Sequence, residues 1–178
     1  SGTALRMVFD LISLSVGTAD TADDEEGVRT IDYLKRTRRV MRMVLSNHPS
    51  SLGLHPAIYF YSWTGKQQPI LFLVIATLLV KMERNKHIDA FIGLRSRFED
   101  FLVLNRPLLN QVIRKFGTKD SGARHLTDFY EFVLLEIAKG GSIETVVAAL
   151  VAAKNFSYIQ PAETSYDGAP GAKSVSYT

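Results

Sequence analysis

The sequence predicts an all-α fold, a compact helical bundle of about seven or eight helices with a flexible C-terminal tail. Almost every periodic segment repeats its apolar residues at the spacing of a helix. No pair of segments carries the alternation and turn residues of a β-hairpin. The connections between helical segments are short, which favours a bundle. We therefore expect a single helical domain over residues 1–159 and a linker-like tail over residues 160–178.

The composition is that of an ordinary globular domain. Of the 178 residues, 46% are hydrophobic and 22% are charged, close to the average for folded proteins. The chain has no cysteine, which excludes thiol catalysis, Cys-ligated zinc and disulfide bonds and fits a reducing compartment such as the cytoplasm. The four histidines lack the spacing of a zinc site, so the sequence predicts neither a metal nor a cofactor.

An acidic connector over residues 18–26 separates the first two predicted helices. The first helix, over residues 4–15, is apolar, and the second runs over about residues 28–46. The connector carries carboxylates that suit the N-cap and the first turn of the second helix. At about 100° per residue, the second helix presents one broad apolar face, made of Tyr33, Leu34, Val40, Met41, Val44 and Leu45.

Prolines mark the starts of the next two predicted helices. Pro56 opens a short helix that carries residues 57–61, and Pro69 opens a long apolar helix that ends near Glu83. The most apolar run of the chain, residues 70–80, is much shorter than the ~20 residues that a membrane span needs. We therefore expect this helix in the protein core and no membrane partner.

The pattern of the second half of the chain predicts four further helices. The pattern gives helices over residues 88–104 and 108–116, a polar loop over residues 117–124, and a last helix capped by Ser142. Between that loop and the last helix runs one clean apolar stripe: Leu126, Phe129, Tyr130, Val133, Leu134 and Ile137. Arg95 falls on the apolar stripe of the 88–104 helix. If buried it needs a partner, and Glu99 or Asp100 is nearest.

The formal net charge of +3 hides a strong segregation of charge along the chain. Residues 1–26 carry one basic and six acidic residues, giving −5, and residues 125–178 carry three and six, giving −3. Residues 27–124 carry 17 basic and six acidic residues, giving +11. A strongly basic middle segment between acidic ends favours a polyanionic partner such as DNA.

A basic stripe on the second helix is the strongest functional pattern. Lys35, Arg38, Arg39 and Arg42 recur at i, i+3, i+4 and i+7, so each side chain can meet a phosphate. A second basic group consists of Arg114, Lys115, Lys119 and Arg124. We interpret both groups as candidate nucleic-acid-binding residues. The alternative is a solvated helix face onto which the acidic connector folds back.

A possible polar site lies in the aromatic segment after the first proline turn. His55 could act as a general base near Tyr59 or Tyr61, and Trp63 is the best exposed candidate for stacking on a base. The alternative is that His55 caps the following helix or bonds a backbone carbonyl, with two or three of the aromatic residues in the core. No catalytic motif occurs, so we assign no catalytic residue.

Four runs of the sequence resemble the helical region of GmrSD-like prokaryotic restriction proteins. They are residues 52–62 (LGLHPAIYFYS), 95–102 (RSRFEDFL), 110–117 (NQVIRKFG) and 129–132 (FYEF). In that group, a ParB-like N-terminal domain precedes the helices and an HNH nuclease domain often follows them. The DGQQR motif of the first domain and the HNH segment are both absent here, so no catalytic residue carries over.

The resemblance implies a helical module cut from a larger nuclease-like protein that restricts foreign DNA. Our first hypothesis is a non-catalytic module that binds nucleic acid or positions neighbouring nuclease domains. The second is a protein-interaction or dimerisation domain that makes no nucleic-acid contact, with its apolar helices packed on a partner or on a second copy. An enzyme that works at His55 ranks last.

Overall fold

The computed structural model describes residues 24–45, 49, 51–62 and 64–161, and for Asp120 it describes the backbone alone. The helix predicted over residues 4–15, Trp63 and most of the predicted tail lie outside these residues. The described part contains seven α-helices: α1 (Val28–Leu45), α2 (Pro56–Tyr59), α3 (Pro69–Arg84), α4 (Ile88–Leu104), α5 (Arg106–Phe116), α6 (Asp120–Ala138) and α7 (Ile143–Ala152). A 3-10 helix (Lys154–Phe156) follows α7. The predicted all-α fold is confirmed.

Helix α6 is the centre of the bundle. Helices α3, α4, α5 and α7 all pack against it, while α2 packs on α3 and α4, and α1 packs on α3. All six residues of the predicted stripe on α6 are buried, which confirms the prediction. Aromatic side chains fill the space around α6, and the ring of Phe98 on α4 meets that of Tyr130 edge-on at 5.6 Å between centroids.

Helix α3 is the apolar helix of the core, as the sequence predicted. Pro69 occupies its first turn, where no N–H donor is needed. The residues that it buries are Ile70, Leu71, Val74, Ile75, Ala76, Leu78 and Leu79. Among the helices of the described residues, none combines the length and the apolar character that a membrane crossing requires.

Two helix ends differ from the sequence predictions. Helix α2 ends at Tyr59 rather than at residue 61, because the chain turns at Phe60 and Tyr61 forms an isolated antiparallel bridge with Gln67. Helix α5 begins at Arg106, two residues before the predicted start. Its proline is accommodated within the first turn, where a missing N–H is harmless.

The predicted loop over residues 117–124 is wrong for residues 120–124, which form the first turn of α6. Gly117 ends α5 with a φ of +76°, a conformation that favours glycine. Gly122 is buried, and a Cβ placed on it would overlap the carbonyl oxygen of Gly117. The absence of a side chain at Gly122 therefore lets two turns of the backbone approach each other closely. The composition of residues 117–124 alone indicated a loop.

Two arginines tie distant main-chain carbonyls to the bundle. Arg106 donates hydrogen bonds to the carbonyl of Tyr61 and to those of two α2 residues, Ala57 at 2.9 Å and Ile58 at 3.0 Å. Arg97 on α4 donates to the carbonyls of Ile137 and Gly141, at the end of α6. Both guanidinium groups thus supply donors to carbonyls at or near helix ends, where intrahelical donors run out.

Arg95 has the partner that its position required. Its Nε donates to Glu99 Oε1 at 2.7 Å, and its other nitrogens donate to the carbonyls of Leu52 and Gly53. The hydroxyl of Tyr59 donates to the same carboxylate oxygen at 3.0 Å. Burial, and then the charge of Glu99, raise the pKa of Tyr59. The expected Arg95–Glu99 pair is therefore confirmed.

The segment after α7 is fastened to α5 by a pair of hydrogen bonds. The side-chain amide of Gln111 donates to the carbonyl of Gln160 and accepts from its N–H, both at 2.8 Å. Phe156 and Ile159 are buried just before this point. The side chain of Gln111 thus pairs with the chain as a neighbouring strand would.

Candidate nucleic-acid interface

The predicted apolar face of α1 is only half covered. Val40 and Val44 are buried on the side that packs on α3. On the neighbouring arc, Leu34 is 58% exposed, Met41 37% and Leu45 46%. The basic residues occupy the next arc of the same helix. Helix α1 therefore presents three lengthwise strips: a buried apolar strip, an exposed apolar strip and a cationic strip.

The four predicted basic residues of α1 line one groove. Lys35, Arg38, Arg39 and Arg42 share it with Met43 and with Glu83 from the last turns of α3, and its volume is about 440 Å³. We call this site the cationic groove. The structure thus brings together all four residues of the predicted stripe.

Of the residues that the structure describes, Glu83 alone contributes a carboxylate to this groove. Its Oε1 lies 2.5 Å from Nη2 of Arg39, in an ion pair whose side chains are 35% and 72% exposed, respectively. Within the described part of the chain, Lys35, Arg38 and Arg42 make no ion pair with a carboxylate. Three cations are therefore available to an anion, while the fourth is already paired on the protein.

The described end of the acidic connector does not neutralise the cationic groove. The carboxylate of Asp24 accepts from the N–H of Thr30 at 2.7 Å and from that of Arg29 at 3.3 Å. The hydrogen bond from Thr30 is the main cause of the lowered pKa of Asp24. Asp24 therefore caps the start of α1, which confirms the predicted role of the connector, and residues 18–23 lie outside the described part.

The second basic group lies elsewhere in the bundle. Its members are exposed near the junction of α5 and α6: Arg114, Lys115, Lys119 and Arg124. None of them lines the cationic groove. Lys115 Nζ sits 4.2 Å from the ring centroid of Tyr158, within the range of a cation–π contact. The two predicted basic groups are therefore separate surfaces.

The residues of the possible polar site are spread over different environments. His55 occupies the N-cap position of α2 but makes no side-chain capping hydrogen bond. Tyr59 is fully buried and bonded to Glu99, Phe60 is also buried, and Tyr61 is 36% exposed. Within the described residues, no group of three or more His, Asp or Glu side chains is placed to hold a metal ion.

Glu83 is the site residue that sequence reasoning missed. It lies 44 residues from Arg39 in the chain, and no local spacing relates the two. The only indication in the sequence was a carboxylate near the end of an otherwise apolar helix. Pairing of this kind is set by how α1 crosses α3, which a periodicity argument does not give.

Comparison of the chain with family models, with curated proteins and with solved structures found no match.

Proposed function

We propose that this chain is a non-catalytic helical module that binds nucleic acid through the cationic groove. The observation that carries the proposal is the convergence of four cations on one groove, three of them without an ion pair in the described part of the chain. Phosphate diesters carry one charge per nucleotide and accept from both lysine and arginine. The groove offers donors at the spacing of helix turns, which suits a row of phosphates.

Such binding would be independent of base sequence. The lining side chains supply charge and donors, and no aromatic ring of the described residues lines the groove for stacking. Contacts to phosphate position a duplex without reading it. The second basic group, near the α5–α6 junction, would extend the contact or bind a separate stretch of the polyanion.

The resemblance to GmrSD-like restriction proteins gives this binding a biological setting. In such a protein, a helical module that holds DNA would place neighbouring nuclease domains against their substrate. The module itself would carry no catalytic residue, and a cytoplasmic location would follow from access to foreign DNA.

The test is duplex-DNA binding by an Arg38→Gln/Arg42→Gln double variant. Removal of one phosphate contact lowers the slope of log affinity against log salt by about one, so we expect the slope to fall by about two. The matched control is Lys66→Gln/Lys154→Gln, which removes the same charge from exposed positions outside the groove. Fluorescence anisotropy of a labelled duplex of mixed sequence, titrated at several salt concentrations, measures the affinity and the salt slope of each variant.

Two results would contradict the proposal. One is the absence of duplex binding by the unaltered chain at low salt. The other is an equal decrease of affinity in the groove variant and in the control, because the net charge rather than the groove would then be responsible.

The exposed apolar strip of α1 favours a second candidate function. A protein-interaction or dimerisation domain without nucleic-acid contact would cover Leu34, Met41 and Leu45 with a partner. Light scattering of the purified chain distinguishes the self-association form of this candidate, since a monomer at all concentrations tested would argue against it.

A further inference from the structure

The exposed apolar strip of α1 is the feature that nucleic-acid binding through the cationic groove leaves unexplained. Leu34, Met41 and Leu45 lie one above another along the helix and are 58%, 37% and 46% exposed. They continue the face that buries Val40 and Val44 on α3. An amphipathic helix normally buries such a face, so a further element is needed on the open side of α1.

The chain itself contains a segment suited to that position. Residues 4–15 hold apolar side chains on most sides of a helix. Three of their four polar residues, Arg6, Asp10 and Ser13, fall on one narrow stripe at i, i+4 and i+7, and the fourth, Ser15, is the last residue of the segment. A helix that is apolar around most of its circumference requires burial. These residues lie outside the described part of the chain.

We propose that residues 4–15 pack as a helix, antiparallel to α1, on the exposed apolar strip of α1. Twelve helical residues extend about 18 Å, which matches the stretch from Leu34 to Leu45. Residues 16–27 connect the two, and twelve residues can span up to about 40 Å. That length is ample for a reversal from the start of α1 back to the level of Leu34, so the chain closes a helical hairpin without strain.

Charge favours this occupant over a second copy of the chain. Arg38 and Arg42 flank one side of the strip, so two α1 helices packed strip to strip in antiparallel orientation would bring their cationic rows together. Residues 1–26 carry a net charge of −5, and the connector contributes Asp20 and Asp23. Residues 4–15 themselves carry one basic and one acidic residue, so their packing on α1 sets no net like charge beside the cationic row, whereas self-pairing does.

The experiment is disulfide trapping in the full chain, which has no cysteine of its own. An antiparallel hairpin that pairs residue 4 with residue 45 sets Val8 opposite Met41. We expect Val8→Cys/Met41→Cys to form an intrachain disulfide at least about tenfold faster than the control Val8→Cys/Arg36→Cys under mild oxidant. Arg36 is also exposed, with 53% of its side chain accessible, but it lies on the other side of α1.

A second pair, Ser15→Cys/Leu34→Cys, tests the same hairpin at its other end, because Ser15 is opposite Leu34 in this register and lies two helical turns from Val8 on the same face. Circular dichroism checks that each variant keeps its helices, and peptide mass mapping distinguishes intrachain from interchain bonds. Interchain Met41→Cys disulfides that form faster than intrachain ones would assign the strip to a second copy and overturn the proposal. Equal rates for both trapping pairs and the control would overturn it as well.

Discussion

At the scale of single residues, arginine serves two different purposes in this protein. Arg97 and Arg106 donate to main-chain carbonyls at helix ends, and Arg95 joins a carboxylate to two loop carbonyls. Arg38 and Arg42 instead line an open groove. The difference lies in the partners that the fold supplies, because the side chains are chemically identical. Removal of Arg95, Arg97 or Arg106 breaks hydrogen bonds that join separate elements of the fold, whereas removal of Arg38 or Arg42 breaks no ion pair of the described residues.

Replacement of Glu83 should strengthen binding to a polyanion. Glu83→Gln removes the carboxylate that pairs with Arg39 and that would repel a phosphate in the cationic groove. A unit charge several ångströms away in a solvent-like environment costs on the order of 0.5 kcal/mol. We therefore expect affinity for duplex DNA at low salt to rise about two- to threefold, as measured by anisotropy.

Glu131→Gln is the matched control for that change. Glu131 pairs with Lys81 at 2.6 Å and its side chain is also 35% exposed, but it does not line the cationic groove. The control should change affinity much less. Equal gains in the two variants would show that overall charge, and not the groove, governs binding.

Alanine at Gly122 should destabilise the protein. Its Cβ would overlap the carbonyl oxygen of Gly117, so the α5–α6 junction must open. Overpacking of this kind typically lowers the free energy of unfolding by about 1–3 kcal/mol, measurable by urea denaturation. Gly93→Ala on α4 is the control, because nothing lies within 4 Å of its added Cβ and alanine favours a helix interior. The control should be neutral or stabilising.

At the scale of elements, α1 is the most loosely attached of the long helices. Its packing partner in the described part of the bundle is α3, whereas α6 packs against α3, α4, α5 and α7. Only Val40 and Val44 of α1 are buried. Opening of α1 therefore exposes little apolar surface, so its local stability depends strongly on the cap at its first turn.

Removal of that cap should loosen the start of α1 selectively. Asp24→Ala deletes the acceptor for the N–H groups of Arg29 and Thr30. We expect their amide hydrogen exchange to accelerate while the global unfolding midpoint changes little. Glu26→Ala removes the same charge without this acceptor and should leave exchange nearly unchanged. Faster exchange throughout the bundle after Asp24→Ala would contradict a local role.

The same cap gives α1 a pH dependence in acid. The hydrogen bond from Thr30 lowers the pKa of Asp24, so the unfolded segment takes up a proton more readily than the folded one. Capping is complete above the ordinary aspartate pKa, near 4. Capping is lost as the pH falls through the lowered pKa of folded Asp24, and the protection of the Thr30 amide hydrogen against exchange should decrease in that range.

Sequence periodicity located most of these elements, and the exceptions have physical reasons. Helix α4 spans the predicted residues 88–104, and Ser142 caps α7 by accepting from the N–H of Thr145. The start of α6 was missed because glycine usually indicates a loop, whereas Gly122 is required here by a tertiary approach. Local sequence patterns reflect the helix propensity of residues and the capping of helix ends. They do not encode contacts between turns that are distant in the sequence.

At the scale of the whole molecule, buried tyrosines should make the fold sensitive to alkali. Burial raises the pKa of Tyr130, and burial with the charge of Glu99 raises that of Tyr59. Both stay protonated in the folded state at a pH where the unfolded chain has released the protons. The free energy of unfolding is therefore unaffected below about pH 10 and falls above it by about 1 kcal/mol per pH unit for each group.

Tyr130→Phe tests this dependence. Phenylalanine keeps the packing on Phe98 and removes the ionisable group, so the fall in stability above about pH 10 should be shallower by about 1 kcal/mol per pH unit. Urea denaturation of both proteins at several alkaline pH values measures the slope. An unchanged slope would show that Tyr130 releases its proton equally in the folded and unfolded states.

The sequence predicted the core of the molecule better than it predicted the site. The helical spacing of apolar residues identified the buried stripe of α6, because burial of one helix face requires apolar residues at regular intervals in the sequence. The cationic strip was equally visible, but its pairing with Glu83 and the incomplete cover on the apolar strip depend on the placement of α1 over α3. Distances between helices are tertiary quantities, and no spacing within one helix encodes them.

The pairing of Gln111 with Gln160 has a mechanical consequence. A pull on the chain beyond residue 161 would first load the two hydrogen bonds to Gln111, and through them α5. Those bonds would have to break before the force reached the buried rings and turns that follow α7. Without the Gln111–Gln160 hydrogen bonds, tension would unfold the 3-10 helix one residue at a time. With them, the same tension acts as a shear force between the segment around Gln160 and α5.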